Sequence, residues 1–180
     1  MANTPRTMFF CISVMALALP FSSMAFAQGP ATYVTNAEIE AATKSMASSP
    51  VGDQLVRVAG INNGEYNVGV AVVHRAKAAS IQSGLEHSQI TEIYQIISGY
   101  GTMVSGGTMG NAKDLLDAHI LEVVGPSKGG APIVGGQSRK VGPGDVIIIP
   151  PNTVHGWSEI ATDLAYLVVR VDPHKVLHVK

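Results

Sequence analysis

The chain has 180 residues, of which 46% are apolar and 14% charged, with a formal net charge of −1. That balance suits one globular domain and excludes the basic footprint expected of a nucleic-acid or anionic-membrane binder. The single cysteine, Cys11, lies in the first apolar run, so the chain beyond it has neither disulfides nor thiolate ligands, and any metal must be held by nitrogen and oxygen.

Arg6 precedes an apolar run from Met8 to Leu19, followed by Pro20, two serines and Ala25-Phe26-Ala27. A basic start, a short apolar core and a small-x-small end predict a secretory signal peptide over 1–27, cleaved after Ala27. The run is shorter than the roughly 20 residues a membrane span requires. The expected mature protein therefore begins at Gln28, is secreted or periplasmic, and has no membrane segment once cleaved.

After an extended lead-in, Thr35-Asn36-Ala37-Glu38 is a capping-box pattern, and Ala41, Ala42 and Met46 follow at helical spacing. This predicts one short helix over 36–47, packed against the outside of the remaining fold and ended by Ser48-Ser49-Pro50. From there the pattern turns to strands. Gln54–Ala59 and Glu65–Arg75 are β-rich runs joined by Asn62-Asn63-Gly64, a hairpin signal. Val68, Val70 and Val72 share one face of the second run and Gly69, Ala71 and Val73 the other, which predicts burial on both sides.

Ser80–His87, Glu92–Ser98 and Thr102–Ser105 are the next strands. Between Gly106 and Gly136 the chain is loose and glycine-rich, with a helical turn expected over Lys113–Leu116 and a strand over His119–Val124. Such long irregular segments commonly serve function, and this one is expected to border the mouth of the fold. Gln137–Val141, Asp145–Ile149, Val154–Ser158 and Leu164–Val171 complete the set. Short strands punctuated by glycine and proline, with one N-terminal helix, predict an all-β, double-sheet jelly roll. The implied organisation is a signal peptide (1–27), an extension with a helix (28–52), a barrel (53–172) and a polar tail (173–180).

Two stretches carry chemistry. In Gly84–Gly99 a histidine, His87, is followed by Glu92 at the head of an apolar strand that ends in glycine. Downstream, Gly144-Asp145, three isoleucines, Pro150-Pro151-Asn152 and then His155 form a second group. Together they resemble the two motifs of the cupin superfamily: a histidine pair, a glutamate and a glycine in the first, and a glycine, a proline, a further glycine and a histidine in the second. The departures are Leu85 where the first histidine of the pair would stand, Asn152 for the second-motif glycine, and Glu159 for an asparagine. Asparagine tolerates the left-handed turn geometry that position needs.

The resemblance implies a cupin-type double-stranded β-helix, in which His87, Glu92 and His155 hold one divalent transition metal. Imidazole nitrogen and carboxylate oxygen suit such an ion, and three protein ligands leave positions open for substrate or dioxygen. His87 and Glu92 are five residues apart, so Ser88-Gln89-Ile90-Thr91 must bend the chain for both to face one cavity. Tyr94 shares the face of Glu92 and is expected just below the metal, as a candidate catalytic residue. Gln89 could reach the metal or hydrogen-bond a ligand.

His74 is read as a packed strand residue, His119 as a candidate for the mouth, and His174 and His178 as solvated. Trp157 is read as barrel core or pocket wall. Arg139, Lys140 and Arg170 are open to two readings, partners of a substrate carboxylate or surface charges.

The function implied is a secreted mononuclear metal-dependent cupin enzyme, an oxidoreductase of oxidase or dioxygenase type. Its substrate would be a small aromatic or carbohydrate-derived compound. Fe or Cu is the favoured metal, with Mn, Ni or Zn as alternatives; copper heads the affinity order for nitrogen and oxygen ligands. The alternative functions are a metal-assisted isomerase, lyase or cyclase, and a non-catalytic ligand-binding module. Cupin barrels commonly pair, so a homodimer is also expected.

Overall fold

A computed structural model of the protein describes residues 29–178. The signal peptide expected over 1–27 lies outside those residues. Among the described residues no helix is long and apolar enough to cross a membrane.

The chain begins with helix α1 (Asn36–Met46). Its capping box is formed, Thr35 Oγ1 accepting from the Glu38 amide at 3.3 Å while Glu38 Oε2 accepts from the Thr35 amide at 2.8 Å. Strands β1 (Val51–Ile61) and β2 (Tyr66–Arg75) follow as a hairpin. Asn62, Asn63 and Gly64 all have positive φ (51°, 56° and 82°), the backbone that this tripeptide accepts at low cost. Helix α1 lies on the outer face of β2, where Ala42 and Met46 bury Val72.

Next come β3 (Gly84–His87), β4 (Thr91–Ser98), β5 (Gly101–Ser105), β6 (Thr108–Met109) and β7 (Lys113–Leu115), then helix α2 (Ala118–Val124). The last part of the chain supplies β8 (Ser127–Gly130), β9 (Ile133–Val134), β10 (Gln137–Val141), β11 (Val146–Ile149), β12 (His155–Ile160) and β13 (Leu164–Asp172). One antiparallel sheet has the order β1-β2-β13-β4-β11 and the other β10-β5-β12-β3-β8-β7; β6 and β9 form a separate ribbon.

Leaving out β1 at one edge and β7 and β8 at the other, four strands remain in each sheet. They pair in nested fashion along the sequence: β2 with β13, β3 with β12, β4 with β11, β5 with β10. A long hairpin rolled up so that successive strand pairs fall in alternate sheets is the jelly roll, and the expected all-β cupin-type barrel is the fold. The two sheets close on a shared core in which Tyr94, Ile96, Met103, Trp157, Tyr166 and Val168 are buried.

The turn that ends β4 shows why the first motif closes on glycine. Gly99 has φ 81°, and a Cβ there would lie 2.1 Å from the Asp163 carbonyl oxygen. No other residue fits.

The segment between β5 and β10 departs from expectation. Lys113–Leu115 pairs with β8 as a strand, and the residues expected as a strand, His119–Val124, form helix α2 instead. So the described residues form two helices, not one. Asp117 decides this locally: its carboxylate accepts from the His119 and Ile120 amides and caps the helix, and Gly125 with φ 69° ends it. β-Branched propensity alone pointed the other way, and burial of Val123 and Val124 against the barrel overrode it. The tail is also less solvated than expected. His174 and His178 are exposed, but Leu177 is fully buried, held by Asp172 accepting from its amide at 2.7 Å and Asn67 donating to its carbonyl at 2.7 Å.

Candidate metal centre

His87 ends β3, Glu92 lies near the start of β4 and His155 opens β12, so two sheets contribute to one point. The bend between His87 and Glu92 is anchored by Ile90, 1% exposed, and by the Ser88 amide donating to the Pro126 carbonyl at 3.0 Å. The second motif is tied directly to the first. Asn152 adopts φ 59°, as its replacement of glycine requires, and its amide donates to the His87 carbonyl at 2.8 Å. That bond sets where His155 enters the barrel.

The three side chains are buried and their ligand atoms lie within 4.8 Å of one another. Glu92 Oε2 is 3.5 Å from His87 Nε2 and 3.5 Å from His155 Nε2. The outward nitrogens define what faces inward. Ser127 Oγ donates to the Gly125 carbonyl at 2.8 Å, so it accepts from His87 Nδ1, at 2.7 Å. His155 Nδ1 is 2.9 Å from the Thr153 carbonyl, which can only accept. When neutral, each ring thus carries its proton on Nδ1 and turns an Nε2 lone pair toward Glu92.

The carboxylate is held from its other side. Arg170 Nε donates to Glu92 Oε1 at 3.0 Å, and the Tyr94 hydroxyl donates to Oε2 at 2.9 Å. Arg170 also pairs through both terminal nitrogens with Asp53. Burial pushes the Glu92 carboxyl up, but His155, when protonated, the Arg170 guanidinium and a protonated His87 hold it well below the usual carboxylate range. Burial lowers His87 from 6.5 to about 4, with Glu92 opposing and His155 and Arg170 adding to the effect. Tyr94 is pushed well above its ordinary value, by burial first and by the Glu92 charge next, so it stays a donor.

Three acceptor atoms therefore converge, the Tyr94 hydroxyl reaches only the carboxylate oxygen among them, and His155 Nε2 is buried without a hydrogen-bond partner. Such a convergence is repulsive unless a cation sits among the lone pairs, and the outward hydrogen bonds are those that orient metal-binding imidazoles. The residues fit a divalent ion, with Glu92 free to ligate through Oε2 only.

Above this point lies a cavity of about 190 Å³. Its walls are His87, Glu92, Tyr94 and Tyr166 from the barrel and Leu115, His119, Ile120, Val123 and Val124 from the segment carrying α2. His119, the candidate for the mouth, lines it. Leu85 also lines it and stands across the ladder from His155, so the missing histidine leaves an apolar wall facing the site.

Other expectations fall differently. Gln89 is not among the lining residues, and the hydrogen bond it was offered for is made by Ser127. Trp157 is 3% exposed and packs on Tyr166 with ring centroids 5.7 Å apart, so it is core. His74 is buried on β2 but lines a different hollow, beside α1. Arg170, left open between substrate partner and surface charge, is neither: it is 1% exposed and holds Glu92. Its signal was legible, an arginine inside the apolar run Tyr166–Val171, where a charge must be buried and paired. Ser127 had no such signal.

No protein-family model and no curated protein matches the chain. Solved structures similar to it include KdgF from Halomonas sp., at 13% identity and TM-score 0.43, covering 69% of this chain and 82% of that one. A cupin protein from Bacteroides fragilis is 17% identical with TM-score 0.38, covering 63% and 72%. A protein from Bacillus halodurans is 15% identical with TM-score 0.45, covering 84% and 89%. At such identities nothing about ligand or reaction transfers. The nested strand order, and the two motifs it brings to one buried point, make this chain a single-domain protein of the cupin fold.

Proposed function

We propose that the protein is a mononuclear metal-dependent enzyme, with His87, Glu92 and His155 as ligands and a small molecule bound in the cavity under α2. One observation carries this reading: two imidazole nitrogens and a carboxylate oxygen converge, buried, and no donor lies between the two nitrogens and that oxygen to reconcile them. When bound, the metal would supply Lewis acidity and open positions for substrate or dioxygen.

Among the reactions open to such a site, oxidation by dioxygen is favoured over isomerisation, elimination or cyclisation. Proton abstraction needs a free base beside the substrate. The cavity carboxylates Asp53 and Glu92 are both engaged by Arg170, and Tyr94 and Tyr166 are held protonated by burial. His119 is the one lining base, among the described residues, that neither binds at the metal point nor pairs with Arg170. A base-driven reaction would therefore rest on His119 alone, whereas chemistry borne by the metal needs no side-chain base.

Export is part of the proposal and rests on the N-terminal pattern; outside the cytoplasm it favours copper, which heads the affinity order, over the easily lost Fe(II). A homodimer is proposed too, supported by Val146 and Ile148 exposed on the edge strand β11, and light scattering of the purified protein tests it.

The test is elemental analysis of the mature chain, purified without chelators, with dioxygen-consumption screens on aromatic and carbohydrate-derived compounds. About one copper or iron per chain, lost in His87→Ala and His155→Ala, is the expected result. Unchanged metal content in both variants refutes it.

A further inference from the structure

The cavity contains one charged group that the metal point does not use. Arg75, at the end of β2, lines it, and its Nε donates to the Tyr166 hydroxyl at 3.0 Å. Its terminal nitrogens make no hydrogen bond among the described residues. The nearby carboxylates are already engaged: Asp53 with both terminal nitrogens of Arg170, and Glu92 with Arg170 Nε. The result is a guanidinium whose plane is fixed at Nε and whose outer edge is open. That edge matches two oxygens of a carboxylate, and because Tyr166 already orients the half-buried fork, pairing with an anion costs it little further freedom.

Charge points the same way. Asp53 and Glu92 cancel Arg75 and Arg170, so a divalent ion at the ligand point would leave the cavity with two net positive charges. The remaining wall is apolar, including Val51, Val73, Leu85 and Val123, and about 190 Å³ is below the roughly 300 Å³ where pockets for drug-sized ligands begin.

We infer that the substrate of this site is a small carboxylate with an apolar body, its carboxylate gripped bidentately by Arg75 and its body lying against the wall toward the metal point. Arg75 is then a specificity-determining residue and Tyr166 a positioning residue that orients it. The inference rests on the cavity being the substrate pocket of the proposed enzyme.

The experiment is isothermal titration of the full mature protein, as purified, with acetate, butyrate and benzoate and with their primary amides, metal content being measured alongside. At least one carboxylate should bind, at least tenfold tighter than its amide. Arg75→Gln should weaken it tenfold or more with metal content unchanged, and Arg75→Lys should recover part of the loss, because an ammonium gives charge without the fork. Should Arg75→Gln not fold, Tyr166→Phe keeps the guanidinium and frees only its Nε; carboxylate affinity should fall there and amide affinity should not. Binding by none of the acids, or equal affinity in wild type and variants, overturns the inference. The metal reading fails separately, by metal absent from the wild type while the Arg75-dependent difference persists.

Discussion

Arg170 Nε lies 3.0 Å from Glu92 Oε1 inside the barrel, where each residue is only 1% exposed. This pair, from neighbouring strands β13 and β4, leaves Glu92 a single oxygen to offer a metal and sets the direction in which it points. Removing one partner of a buried ion pair strands the other charge, at a cost of about 3–5 kcal/mol. Arg170→Met should therefore destabilise the metal-free protein by about that amount in urea unfolding, since both Glu92 and Asp53 lose their partner. A loss below about 1 kcal/mol would show that the pair is not what holds Glu92.

Ser127 accepts from His87 Nδ1 and thereby keeps the Nε2 lone pair inward. Partners of this kind are worth about 10- to 100-fold in metal affinity. Ser127→Ala should show that weakening in a chelator competition, with the melting temperature little changed. Affinity equal to wild type would mean that the ring is oriented by packing alone.

The Tyr94 hydroxyl donates to the same Glu92 oxygen that faces the histidines. In Tyr94→Phe that oxygen loses its donor and the site loses a proton held next to the substrate space. Turnover should fall by an order of magnitude or more with metal content retained, while the lost bond costs only about 1 kcal/mol of stability. Full turnover in the variant would remove Tyr94 from the chemistry.

His87 titrates near 4 when folded and near its ordinary 6.5 when unfolded. Between these values the unfolded chain binds more protons, so stability rises with pH. For the metal-free protein, the contribution of His87 is fully present above 6.5 and is lost as pH falls toward 4. Urea midpoints measured across this window should decline in the wild type and less steeply in His87→Gln. Parallel profiles would place the pH dependence on other groups.

Much of this architecture is visible along the chain because it depends on local rules. The alternation in β4 places Glu92, Tyr94 and Ile96 on one buried face, Thr35 to Glu38 announces the cap of α1, and Asn62-Asn63-Gly64 announces the first hairpin. Helix α2 escaped because its apolar, β-branched residues suit either state; Asp117 and the burial of Val123 and Val124 choose between them. The roles of Ser127, Arg75 and Arg170 escaped because each depends on a partner far away in sequence: Ser127 on His87, Arg75 on Tyr166, Arg170 on both Asp53 and Glu92.

By itself, then, the sequence determined the strand-rich class, the end of the first motif at Gly99, and the residue types able to ligate a metal, since periodicity, turn chemistry and ligand chemistry are properties of short stretches. Only the tertiary structure decided that Glu92 turns one oxygen to the histidines and the other to Arg170, that both histidines turn Nε2 inward, and that Arg75 keeps an open edge in the cavity. Those are facts of hydrogen-bond pairing, and pairing is settled when nested strands from both ends of the chain close on one another.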